Sequence, residues 1–364
     1  MNNSRLYFID IIRAFAILMM LQGHFIDTLL SGSYKDLNSI TFSIWSYFRG
    51  ITAPTFFTIS GLIFTYLLLK AKEKGIEKSR IRKGIIRGFF LIGIGYLIRI
   101  PFLAWFSGYF NSYFLVIDVL QCIGFSLILI IVLYLLCAKR TILFSIILLI
   151  LGFLIFLSEP LYRELSFNNI PLIFNNYISK SNGSVFTIIP WFGYVAFGAH
   201  IATLFHKYLN KNNFKEIAVA SFFIIGALLI FYSSSFLSLI YELTNIKLFL
   251  DSASYNYLFT RLGNVFLYFS FFYGFEKFLK FPLILKIGQK TLSIYVIHFI
   301  IIYGSFTGIG LKSLIGQILT PWQAVFGAVF FLITVCFISF YYVKSNAFLY
   351  SHLRRLFYKV KKKL

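Results

Sequence analysis

Residues 5–30 read RLYFIDIIRAFAILMMLQGHFIDTLL, an apolar run interrupted by Asp10, Arg13, His24 and Asp27. The run is long enough to cross the hydrocarbon core of a bilayer as a helix. Arg13 and His24 are eleven positions apart, which on a helix is about three turns plus 20° and about 16 Å along the axis. Asp10 precedes Arg13 by one turn and Asp27 follows His24 by one turn, so the four groups share a stripe. Ionisable groups at membrane depth are costly and rare, and by default they mark a functional site. The bland alternative is that Arg13 snorkels to the headgroups while His24 hydrogen-bonds a neighbouring helix.

Composition agrees with a membrane protein. Of 364 residues, 59% are hydrophobic, 21% aromatic and only 13% charged, against about half apolar and a quarter charged in a soluble domain. A soluble enzyme is excluded. The formal charge of +22 does not indicate nucleic acid, because the cations concentrate in short connections between apolar runs and no nucleic-acid or zinc motif accompanies them. Cys122, Cys137 and Cys336 lie in or beside apolar segments without a CxxC pair, so neither disulfides nor a metal site is expected. The first run exceeds the length of a signal-peptide core and holds Arg13 and His24, so it reads as a retained helix.

Apolar runs of spanning length predict an all-α, polytopic protein of about ten transmembrane helices, near 6–31, 43–70, 85–105, 113–137, 141–157, 185–206, 215–234, 256–276, 290–304 and 321–343. Basic connections, such as 71–84 with Lys72, Lys74, Lys78, Arg80, Arg82 and Lys83, alternate with poorly charged ones. The positive-inside rule then puts both termini in the cytoplasm, with Arg13 in the inner leaflet and His24 in the outer half of its helix. Residues 1–343 form one transmembrane domain. The 344–364 tail interleaves Phe348, Leu349, Leu353, Leu356, Phe357 and Val360 with cations and reads as an amphipathic helix on an anionic leaflet.

Several motifs extend the site. His24 suits a general base, because imidazole titrates near neutrality. Asp27 suits the role of orienting that ring and stabilising its cation. Arg13 suits a phosphate or carboxylate. TFFTISG at 55–61 puts Ser60 and Gly61 mid-helix, where ordinary packing is the stronger reading. IDVLQCIG at 117–124 sets Asp118 and Gln121 one turn apart; Asp118 either holds a substrate hydroxyl or pairs with a cation such as Arg99. In IIPWFGYVAFGAH, 188–200, Trp191 is a belt anchor or a stacking surface for a sugar ring. In KTLSIYVIHF, 290–299, His298 follows Tyr295 by three positions and is a second polar site residue or an interhelical donor. Arg80, Arg82 and Arg87 signal topology and are also able to hold a nucleotide phosphate. No Walker or GxGxxG pattern supports ATP or dinucleotide chemistry.

Taken in order, these motifs resemble a family. Arg13 through His24 and FFTISG at 56–61 resemble the signatures of transmembrane acyltransferases of the acyltransferase 3 family. IDIIRAFAILMM at 9–20, VLQCIG at 119–124, PWFGYVAFGA at 190–199 and TLSIYVIH at 291–298 are more similar to the related heparan-alpha-glucosaminide N-acetyltransferase-like group. The resemblance implies a donor, acetyl-CoA or another acyl-CoA, bound from the cytoplasm. It implies transfer to a glycan or glycolipid hydroxyl or amine on the outer side, with His24 as catalytic base or acyl carrier and Arg13 as its essential partner. An extended pantetheine arm bridges the about 16 Å between a phosphate near Arg13 and a thioester near His24.

The expected roles follow. His24, Asp27 and Arg13 are catalytic. Arg13, Arg80, Arg82, Arg87 and Ser60 hold the donor. Asp118, Gln121, Trp191, His298 and Tyr295 meet the acceptor. The protein is expected in the lipid bilayer of a bacterial cytoplasmic (inner) membrane, without nucleic acid and with an oligomer left open. A proton-coupled transporter or exporter of a glycan or lipid intermediate would use the same stripe as a proton relay.

Overall fold

A buried charge needs a partner, so a helix carrying four ionisable groups belongs at the centre of a bundle. In the computed structural model, which describes residues 6–167 and 169–361 with residues 342–361 as backbone alone, that is where the first helix lies. Helix α1, Tyr7–Leu29, contacts α3 (Thr52–Glu73), α9 (Tyr257–Gly274), α10 (Pro282–Gln289), α11 (Thr291–Tyr303) and α12 (Pro321–Lys361). The other long helices are α4 (Glu77–Leu97), α5 (Val119–Leu136), α6 (Thr141–Leu157), α7 (Ile188–Tyr208) and α8 (Phe214–Phe231), while α2 (Ile40–Arg49) leads into α3. Among the described residues there is no β-strand beyond one isolated bridge, Leu30 to Leu319, which ties the 305–320 connection to the end of α1.

The span count differs from the expected ten. Among the described residues, six helical stretches are long and apolar enough to cross a membrane: Tyr7–Leu29, Ile40–Glu73, Ser112–Leu136, Ile188–Tyr208, Phe214–Phe231 and Pro321–Tyr341. Helices α10 and α11 make a seventh if they are taken as one span bent by 71°. The shortfall has local causes. The first half of α4 carries Glu77, Lys78, Arg80, Arg82, Lys83 and Arg87, α6 is only 17 residues long, and α9 dilutes its apolar face with Arg261 and Asn264. Residues 290–304 form a short arm of the bent pair. The tail continues α12 as helix to Lys361; its side chains, on which the amphipathic reading rests, lie outside the described residues.

Helices α3 and α7 form the tightest pair. A Cβ at Gly198 would overlap the Thr58 carbonyl, and one at Gly61 would overlap the Val195 carbonyl. Glycine therefore lets the two backbones touch, as small residues do at membrane helix interfaces. The Ser60–Gly61 and PWFGYVAFGA motifs owe this part of their composition to packing. At the start of α1, the Phe8 amide donates to Glu276 Oε1 at 3.0 Å, and Lys215 holds the other carboxylate oxygen at 3.7 Å. An orphan amide of the helix N-terminus thereby finds an acceptor.

Candidate functional site

Helix α11 runs beside the charged stripe along its whole length. Thr291, its first residue, accepts a hydrogen bond from Arg13 Nη2 at 2.8 Å. Tyr303, its last, bonds through its hydroxyl to His24 Nδ1 at 2.9 Å. Thirteen helical residues span about 18 Å from first to last, which matches the axial separation of Arg13 and His24. The stripe is therefore a real face, and one neighbouring helix reads both of its ends. Gly304 at φ 66° ends α11 immediately after Tyr303, a conformation that suits glycine.

The Arg13 end carries two adjoining cavities. The inner one, about 390 Å³, is lined by Arg13, Ser60, Arg80, Arg87, Thr291 and Tyr295 among others. The second, about 720 Å³, is lined by Tyr7, Tyr66, Lys70, Lys74, Arg80 and Lys83 among others. Ile63, Leu67 and Arg80 are walls of both. The Nε of Arg80 is buried without a hydrogen-bond partner, leaving a charged donor beside the cavity that an acceptor would satisfy. Three of the expected donor-binding arginines thus converge with Ser60. Arg82 does not: it is exposed and lines neither cavity. The Ser60 hydroxyl already donates to the Phe56 carbonyl at 2.7 Å, so it contributes shape more than a free donor.

At the other end the His24 and His298 rings lie 5.3 Å apart, inclined by 37°. Tyr295 packs edge-on against His298 at 5.0 Å. His298 is 0% exposed, and its ring nitrogens make no hydrogen bond of good geometry, the backbone of Ile294 and Tyr295 one turn back being their polar neighbours. His298 and Tyr295 are therefore gathered with His24, and Tyr295 also reaches the inner cavity, linking the two ends.

Four expected site residues are engaged elsewhere. Asp27 does not hold His24: Arg49 on α2 takes both of its oxygens at 2.9 Å each, and the two side chains are 40% and 38% exposed. A guanidinium fork matches a carboxylate better than an imidazole does. Asp118 pairs with Arg99 at 3.1 Å and accepts from the Val119 amide at the start of α5, while Gln121 Oε1 returns to the Asp118 amide. The two side chains form a capping box, so their one-turn spacing is explained by the helix terminus. Trp191 donates to the Val185 carbonyl at 3.0 Å and packs on Phe57 and Phe186, away from the stripe. Asp10 lies 3.8 Å from Arg13, consistent with local neutralisation of that cation. A separate apolar groove of about 650 Å³ between α6, α7, α8 and α9 contains none of the expected site residues.

Sequence reasoning missed Tyr303, Thr291 and Arg49. Arg49 had a readable signal, as a cation inside the apolar 43–70 run, away from its basic end. Tyr303 and Thr291 had none, since their distances from His24 and Arg13 in sequence are 279 and 278 positions.

The family model described as heparan-alpha-glucosaminide N-acetyltransferase, catalytic, matches residues 5–240. That range holds Arg13, His24, Ser60, Arg80 and Arg87; α11, with Tyr295, His298 and Tyr303, lies beyond it. No individual curated protein matches the chain. With more than half of its length accounted for by that model, and with the matched Arg13–His24 helix at the centre of an all-helical bundle of apolar helices, the chain belongs to the heparan-alpha-glucosaminide N-acetyltransferase catalytic family.

Proposed function

We propose that the protein transfers an acyl group, chiefly acetyl, from a cytoplasmic acyl-CoA to a hydroxyl or amine of a glycan-type acceptor on the opposite side of the membrane. The observation that carries this reading is the single axis on which α1 and α11 set an arginine-lined cavity at one end and a paired imidazole site at the other. Arg13, Arg80 and Arg87 hold the phosphates of the donor, and Lys70, Lys74 and Lys83 make its entrance basic. The pantetheine arm runs past Tyr295 and delivers the thioester to His24. The basic connections at the Arg13 end favour a cytoplasmic donor by the positive-inside rule, in a bacterial inner membrane.

His24 accepts the proton of the acceptor O–H or N–H as the heteroatom attacks the thioester carbonyl. The tetrahedral adduct collapses with cleavage of the C–S bond, and the CoA thiolate takes the proton from the imidazolium to leave as free CoA. His298, its ring 5.3 Å from that of His24, is placed to meet the thioester oxygen. The test is release of free CoA from acetyl-CoA by purified protein with an amino sugar or polysaccharide acceptor. His24→Ala lowers turnover by about 10²–10⁴-fold and leaves CoA affinity within about twofold. Wild-type turnover in a folded His24→Ala protein refutes the assignment; proton-coupled flux without CoA affinity identifies a transporter instead.

A further inference from the structure

In a hydrogen-bonded triad, a base is held by an acceptor on its far nitrogen, which fixes the tautomer that has a lone pair toward substrate. The sequence offered Asp27 for this role, and Arg49 has taken it. The His24 ring bonds through Nδ1 to the Tyr303 hydroxyl, 2.9 Å away. Tyr303 cannot easily drift. It closes α11 against Gly304, and its ring packs 4.7 Å from Phe299.

We propose that Tyr303 is the positioning residue of this site: its oxygen accepts the His24 Nδ1–H, and the Nε2 lone pair is left for the acceptor proton. The inference rests on the reading of His24 as general base. A neutral phenol suits the location, because a carboxylate there would need its own desolvated countercharge, whereas a phenol and an imidazole satisfy one another without charge. The bland reading is that the bond only ties α11 to α1. The two readings differ in the tautomer and in kcat.

Two measurements test it. In wild-type protein labelled with ¹⁵N-histidine, the resonances lost in His24→Gln assign His24. Nδ1 is expected protonated and Nε2 unprotonated at neutral pH; the opposite tautomer overturns the proposal whether or not the protein turns over acetyl-CoA. In Tyr303→Phe, which keeps the ring and its packing, kcat falls by about 10–100-fold while the KM for acetyl-CoA stays within about twofold. An unchanged kcat in the folded variant overturns the proposal. Where Tyr303→Phe does not fold, the wild-type tautomer decides. Absence of CoA release in wild type, with the expected tautomer found, refutes the acyl-CoA reading and leaves the positioning geometry supported.

Discussion

Substitution of the arginines one at a time separates the cavity from the charge run. Arg13, Arg80 and Arg87 line one inner cavity, whereas Arg82, between them in sequence, is exposed and off it. A hydrogen bond to a charged group contributes about 1.5–3 kcal/mol, and about 1.4 kcal/mol is tenfold in affinity. The Arg13 side chain is 20% exposed, so its contribution belongs at the upper end and Arg13→Gln weakens CoA binding about 100-fold. Arg87 is exposed and screened by water and salt, so Arg87→Ala costs about tenfold. Arg82→Ala stays within about twofold. The assay is calorimetric titration of CoA into purified protein in nanodiscs at physiological ionic strength. The melting transition is measured alongside, because Arg13→Gln also removes the cation beside the buried Asp10. If Arg82→Ala weakens binding as much as Arg87→Ala, net charge and not the cavity governs the donor. If the Arg13→Gln, Arg87→Ala double variant binds CoA like wild type, the cavity is not the donor site.

Two further expectations concern the frame of the site. Gly198→Ala forces α3 and α7 apart and destabilises the protein by about 1–3 kcal/mol, seen as a lower denaturation midpoint in detergent, whereas Gly93→Ala, with nothing within 4 Å of the new methyl, leaves it unchanged or raised; equal effects would mean that the α3–α7 contact is not tight. Asp118→Ala removes the cap of α5 and leaves Arg99 without its carboxylate, lowering stability by about 3 kcal/mol. Asp118→Asn keeps the cap and loses the charge, so its loss is smaller in the same unfolding titration, and an equal loss would refute the capping role.

The stripe on α1 was legible because helix geometry is local: eleven residues on a 3.6-residue turn put Arg13 and His24 on one face whatever surrounds them. The all-helical membrane class followed from apolar run length for the same reason. The span count was less legible, because run length ignores how far cations invade a helix, as in α4, and where a helix bends, as between α10 and α11. Pairings across the bundle were less legible still. Asp27, one turn from His24, looked like its partner by spacing alone, yet a guanidinium from α2 holds it with better geometry. Of the two readings of Asp118, a substrate hydroxyl or a pair with Arg99, the structure has the pair, and Gln121 joins Asp118 in a helix cap.

What the sequence determined by itself is the helical membrane class and the axis of Arg13 and His24, since both depend on neighbours along the chain. Only the tertiary structure decided that Arg80 and Arg87 join Arg13 while Arg82 does not, that His298 stacks near His24, and that Tyr303 holds the imidazole. Those contacts join residues far apart in the chain, and their selection depends on which helix faces meet, which no single segment encodes.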